Sequence, residues 1–136
     1  DYLLDTYKAS LWSTVKLVDD FVNWGPGRRV FVVGHLSDTG NDGSRKYRQL
    51  LRQAALSCDL VIGIGVSASA AEKLVRNENL ANVLPARDIA EARRIIAGRP
   101  PSLIILKSDP KVQLAEILPD DAQRPVGAGV IRTIVR

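Results

Sequence analysis

Four short stretches carry side chains able to do chemistry. The first is Asp5-Thr6-Tyr7-Lys8, which follows the apolar pair Leu3-Leu4. A carboxylate can accept from both hydroxyls of a ribose, and a tyrosine ring can lie against a purine. An ammonium can meet a phosphate or a base nitrogen as a point charge. The same residues also suit a purely structural corner, with Asp5 capping the turn, Tyr7 on the core rim and Lys8 in water. The second stretch is Gly34-His35-Leu36-Ser37-Asp38-Thr39-Gly40. A glycine after an apolar run lets a ligand or a backbone come close. His35 is the single histidine of the chain, and it is either a ligand contact or a loop residue satisfied by a neighbour.

The third stretch is Gly63-Ile64-Gly65-Val66-Ser67-Ala68. It follows an apolar run and opens a helical pattern, but Ala68 stands where the dinucleotide fingerprint has its third glycine. Close packing of a helix on a strand explains the two glycines better. The ribose-binding acid of that fingerprint is expected about 20 residues further on. Asp88 falls near there and reads better as a helix N-cap. The fourth stretch is Lys107-Ser108-Asp109, where a lysine at a strand end can reach an anion or sit in a solvated turn. No Gly-x-x-x-x-Gly-Lys-[Ser/Thr] occurs, so the chain has no phosphate-cradling loop of its own.

The elements between these stretches would have to position them. Leu11, Trp12, Val15, Leu17, Val18, Phe21 and Val22 are the apolar residues from Ser10 to Trp24, and their steps of three and four mark one helical face, with Ser10 as N-cap and Gly25-Pro26-Gly27 as the stop. Arg29 to Gly34 and Asp59 to Gly65 run apolar without alternation, as strands buried on both faces do. A helix from about Ser44 to Ser57 turns Tyr47, Leu50, Leu51, Ala54 and Ala55 inward. Ser67 is read as the cap of a third helix through about Arg76. Leu80 to Leu84 is a weaker strand, Asp88 to Ala97 a fourth helix, and Ser102 to Lys107 a strong strand. A short helix is expected near Val112 to Leu118, and the tail from Val130 to Val135 can add an antiparallel edge strand. Strands alternating with helices predict an α/β fold. It would be a Rossmann-like open, mostly parallel sheet of about six strands with helices on both faces. No linker divides the chain, so residues 1–136 are read as one domain.

Composition narrows the function classes. The chain is 46% hydrophobic and 25% charged, an ordinary globular balance able to bury a core. Its net charge of +4 is spread without a block of five like charges, and three tyrosines, two tryptophans and two phenylalanines give no stacking platform. No nucleic-acid partner is therefore expected. No apolar run approaches the ~20 residues that span a bilayer, so no membrane role is expected either. One cysteine, Cys58, excludes an internal disulfide and reads as a small buried residue. A lone histidine leaves little for a metal site or a catalytic triad. The chain starts at Asp1 and contains no methionine, which reads as a piece cut from a longer protein.

Taken together, the motifs resemble a known family. Leu4-Asp5-Thr6-Tyr7-Lys8-Ala9-Ser10 is similar to the Asp-Ser-Tyr-Asn-Ala-Asn-Pro corner that opens the C-terminal domain of the Mur ligases. The nearest pattern is that of the D-alanyl-D-alanine-adding branch. Arg28 to Gly34, Asp59 to Gly65 and Leu103 to Ser108 resemble its following strands in order and spacing. The resemblance implies the last of three domains in a cytoplasmic ATP-dependent ligase of peptidoglycan synthesis. Such an enzyme joins a UDP-N-acetylmuramoyl peptide to an amino acid or dipeptide through an acyl phosphate. ATP would be the cofactor, with Mg2+ and the P-loop on an absent central domain. By the same resemblance Asp5 would hold the ATP ribose, with Tyr7 and Lys8 beside the adenine. His35, Lys107 and Ser108 would lie on the substrate side. No residue of this chain is expected to be catalytic, and the isolated domain is expected to be inactive.

The sequence departs from the family pattern at several of these positions. Lys8 replaces Asn, Leu11 replaces Pro, His35 replaces Asp, and the Gly between Lys107 and Ser108 is missing. The departures fit a homologue that ligates something other than that dipeptide, or one that has lost activity. A rival expectation is a stand-alone or degenerate Rossmann-like module that binds a nucleotide or a protein without catalysis.

Overall fold

The computed structural model describes residues 2–5, 27–36, 43–98, 101, 103–108, 117 and 130–133. The helices expected over 10–24 and 112–118 lie outside these residues, apart from the buried Ile117. Among the described residues the chain forms, in order, β1 (Tyr2–Asp5), β2 (Arg29–Val33), α1 (Gly43–Ser57), β3 (Leu60–Ile64), α2 (Val66–Glu78), β4 (Val83–Ala86), α3 (Ile89–Gly98), β5 (Leu103–Lys107) and β6 (Val130–Thr133).

These strands form one sheet in the order β4-β3-β2-β5-β1-β6. Every neighbouring pair is parallel except β1 and β6, which run antiparallel at one edge. The architecture is the Rossmann-like α/β fold read from the sequence. Side chains along β2 alternate between two cores, as strand geometry requires. Phe31 and Val33 meet Tyr47, Leu50, Leu51 and Ala54 of α1 and Ala70, Ala71 and Leu74 of α2. Val30 and Val32 face the other way, with Ala92 and Ile96 of α3 and Ile104 and Leu106 of β5. Each fully buried Leu or Ile side chain contributes about 1.5–3 kcal/mol relative to exposure.

The handedness of crossovers explains the two layers. From β2 the chain steps to β3 and β4 over the face carrying α1 and α2. It then returns in the opposite direction to β5, beside β2, with α3 packed on the other face. Right-handed connections that reverse direction must change face.

Two local expectations need correction. The strand placed at Leu80 to Leu84 begins at Val83 and runs to Ala86. The Asn82 side-chain amide donates to the Ala55 and Cys58 carbonyls at 2.8 and 3.1 Å, which holds residues 80–82 as a turn against the end of α1. Pro85 is accommodated because β4 is an edge strand and loses no ladder partner. Ser67 does not cap α2. Gly65 takes the N-cap position, with no side-chain cap bond, and Ser67 lies one residue inside the helix. Asp88 does cap its helix, since its carboxylate accepts from the Glu91 N–H at 2.8 Å.

Candidate functional site

The sheet order creates a place where neighbouring strands part company. β2 continues to β3 on one side, while β5, its parallel neighbour, continues toward β1 and β6 on the other. A crevice outside the carboxyl ends of such a pair is where open α/β sheets bind ligands. Gly34, His35 and Leu36 leave β2 here, and Lys107 and Ser108 end β5. Two separated stretches of the sequence therefore converge at one edge.

Their backbones are tied closely. The Gly34 N–H donates to the Lys107 carbonyl at 3.0 Å. The His35 N–H donates to Ser108 Oγ at 2.9 Å, and that hydroxyl also lies 3.4 Å from the His35 carbonyl. The Leu36 N–H donates to the Tyr47 hydroxyl at 2.7 Å. Ser67 Oγ donates to the Gly34 carbonyl from the first turn of α2. Ser67 and Ser108 are fully buried and Tyr47 is 1% exposed. Lys107 is also buried, while His35 is half-buried, and both make further interactions within the chain.

Asp5 ends β1 at the same carboxyl edge. In the parallel ladder it stands opposite Lys107, and in the antiparallel ladder opposite Val130. Asp5, His35, Lys107 and Ser108 are thus brought to one edge of one sheet. Tyr7, Lys8 and Asp109 lie outside the described residues.

The next strand exit is made differently. An added Cβ on Gly63 would sit 2.6 Å from the Ser67 carbonyl oxygen, so α2 packs on β3 where only glycine fits. Gly65 follows with φ 64° and ψ −118°, a backbone state that side chains disfavour. Its carbonyl accepts from the Ala68 N–H at 3.1 Å. The glycines serve the tight strand-to-helix corner, the structural alternative weighed against a dinucleotide fingerprint.

Sequence reasoning missed two contributors. Tyr47 was read only as an inward-facing core residue, yet its hydroxyl holds the loop after β2. The signal was available, because a buried tyrosine hydroxyl usually finds a partner. Ser67 carried no such signal, since its partner is 33 residues away. Cys58 is buried as expected. Burial pushes its thiol up to about 12; the nearby Arg29 acts downward and Asp59 upward. Among the described residues no group of three or more His, Cys, Asp or Glu is arranged to hold a metal, and no helix is long and apolar enough to cross a membrane.

Fold and edge together define an open α/β domain of the Rossmann-like class, with its topological switch point between β2 and β5. Solved structures share this fold. Two crystal structures of MurF from Acinetobacter baumannii superpose with TM-scores of 0.65 and 0.64 at 22% sequence identity, each covering 82% of this chain. The matched part is 26% and 25% of those MurF chains, so the chain spans about a quarter of their length. At that identity the likeness is one of fold. No family model matches the sequence, and no curated protein matches it.

Proposed function

We propose that this chain is the C-terminal domain of an ATP-dependent Mur-type ligase. It would close over ATP and place the incoming amino acid or dipeptide beside the carboxylate of a UDP-N-acetylmuramoyl peptide in the cytoplasm. The observation that carries this reading is the position of Asp5. It stands at the carboxyl end of β1, level with Lys107 and one strand from the β2–β5 switch point, on a fold shared with MurF. A carboxylate there is suited to accept from ribose hydroxyls. By the same reading Tyr7 and Lys8 flank the adenine, and His35, Lys107 and Ser108 line the substrate side.

The reaction requires a carboxylate to be activated and an amine to attack it. ATP supplies the phosphoryl group that makes the carboxylate an acyl phosphate, releasing ADP. Attack by the amine then forms the amide bond, expels phosphate and loses a proton from nitrogen. Mg2+ and the groups stabilising phosphoryl transfer belong to a central domain outside this chain. The contribution of this chain is binding and orientation, worth much of the barrier when two substrates must meet.

The test is Asp5→Ala in the full-length protein, read as ADP release coupled to amide formation. The expected result is a rise of about tenfold or more in KM for ATP, the loss of charge-assisted hydrogen bonds. Unchanged kinetics with ATP would remove the proposal and favour a binding module without catalysis.

A further inference from the structure

From Val30 to Leu36 every residue is buried except His35, which is half-buried. The polar backbone around it is held by side-chain hydroxyls from three separate elements. Ser67 of α2 holds the Gly34 carbonyl, Ser108 after β5 holds the His35 N–H, and Tyr47 of α1 holds the Leu36 N–H. None of the three is more than 1% exposed, so bulk water is not the partner that holds these groups. Ordinary connecting loops lie on the surface and are mobile. Here a three-residue exit is pinned from three sides, with the half-buried His35 in its middle. Ligand-contacting groups keep their geometry when neighbours lock them in this way.

We infer that Tyr47, Ser67 and Ser108 are positioning residues that fix the 34–36 backbone so that His35 is presented to the amine-bearing co-substrate. The inference rests on the ligase reading above and adds to it the residues that organise the substrate side. The three hydroxyls act through the backbone flanking His35. Tyr47 and Ser67 lie on helices behind the corner, and Ser108 spends its oxygen on the His35 amide.

The experiment is a double-mutant cycle in the full-length protein that carries this chain. His35→Ala and Tyr47→Phe each raise KM for the amine-bearing co-substrate about fivefold to tenfold and leave KM for ATP unchanged. The double variant is no worse than His35→Ala alone, because the hydroxyl works through the imidazole's position. Ser108→Thr, which keeps the hydroxyl, retains the KM that Ser108→Ala loses. Additive effects of the two changes, or an unchanged KM in Tyr47→Phe or in His35→Ala, overturn the inference.

A second measurement needs no turnover. With histidine labelled by 15N, the His35 ring signal is identified by its loss in His35→Gln. It is narrow in the parent and broadened or shifted in Tyr47→Phe; identical signals in the two proteins overturn the inference. Failure of the ligase reading is seen separately. Asp5→Ala with intact ATP kinetics removes that reading, while the imidazole signal still decides whether the hydroxyls position His35.

Discussion

At the exit of β3 the chain turns into α2 by leaving side chains out. Gly63 admits no Cβ beside the Ser67 backbone, and Gly65 takes a positive φ with open space around it. At the exit of β2, the neighbouring strand at the same edge of the sheet, the turn is held by adding side chains. The Tyr47, Ser67 and Ser108 hydroxyls occupy backbone groups that no strand partner reaches. The first corner is fixed by sterics and exposes only the apolar Val66 beside its glycines. The second is fixed by hydrogen bonds and carries the half-buried His35. Tight packing and chemical presentation are thus assigned to different corners, and Ser67 takes part in both.

Substitutions can break this contrast in graded steps. Gly63→Ala forces a Cβ within 2.6 Å of a backbone oxygen that belongs to a helix and cannot simply rotate away. It should lower stability by about 3 kcal/mol, the upper part of the usual overpacking cost, read as a urea midpoint shift. It should also disturb the β2 exit, because Ser67 moves with α2. Tyr47→Phe keeps the ring in the core and leaves the Leu36 N–H buried without its acceptor. A loss of about 1–2 kcal/mol is expected. Amide exchange should quicken at residues 34–36 and stay unchanged at β3. Equal quickening at both exits would show that the two corners are one unit.

Two smaller effects test the surroundings of the corners rather than the corners themselves. Cys58 enters β3 from the opposite end, and burial raises its thiol from the ordinary 9.0 to about 12. The folded state therefore prefers the protonated thiol. The stability this contributes is complete below pH 9 and declines as pH rises toward 12. Thiol reagents at pH 8 should accordingly react no faster than the protein opens. Rapid labelling of the folded protein would mean that the core behind β3 is looser than the glycine corner requires.

The smallest effect belongs to the bidentate contact of Arg52 with Glu78, which joins α1 to α2 away from both exits at 2.8 and 2.6 Å. The hydrogen bond from Arg52 holds the Glu78 carboxyl below its ordinary range, and both side chains are exposed. Its contribution is present above the ordinary carboxylate pKa and fades as pH falls through the lowered one. Arg52→Ala should shift the urea midpoint only slightly, less so in high salt, and leave exchange at 34–36 untouched.

The sequence determined the layers of this protein. Apolar runs without alternation at Arg29–Val33 and Leu60–Ile64 could only be strands covered on both faces, and the apolar faces of α1, α2 and α3 supply the cover. Asp88 announced its cap because the capping bond spans three residues. The pair Gly63 and Gly65 announced a tight corner for the same local reason. Tertiary structure alone decided the order β4-β3-β2-β5-β1-β6, which inserts β5 between β1 and β2 and sets His35 against Ser108 across 73 residues of chain. It also moved Ser67 from a supposed cap to a partner for Gly34. Propensity and periodicity report what a residue does within a few positions of itself. A hydroxyl's partner on another strand depends on where crossovers return the chain, and only the folded sheet fixes that.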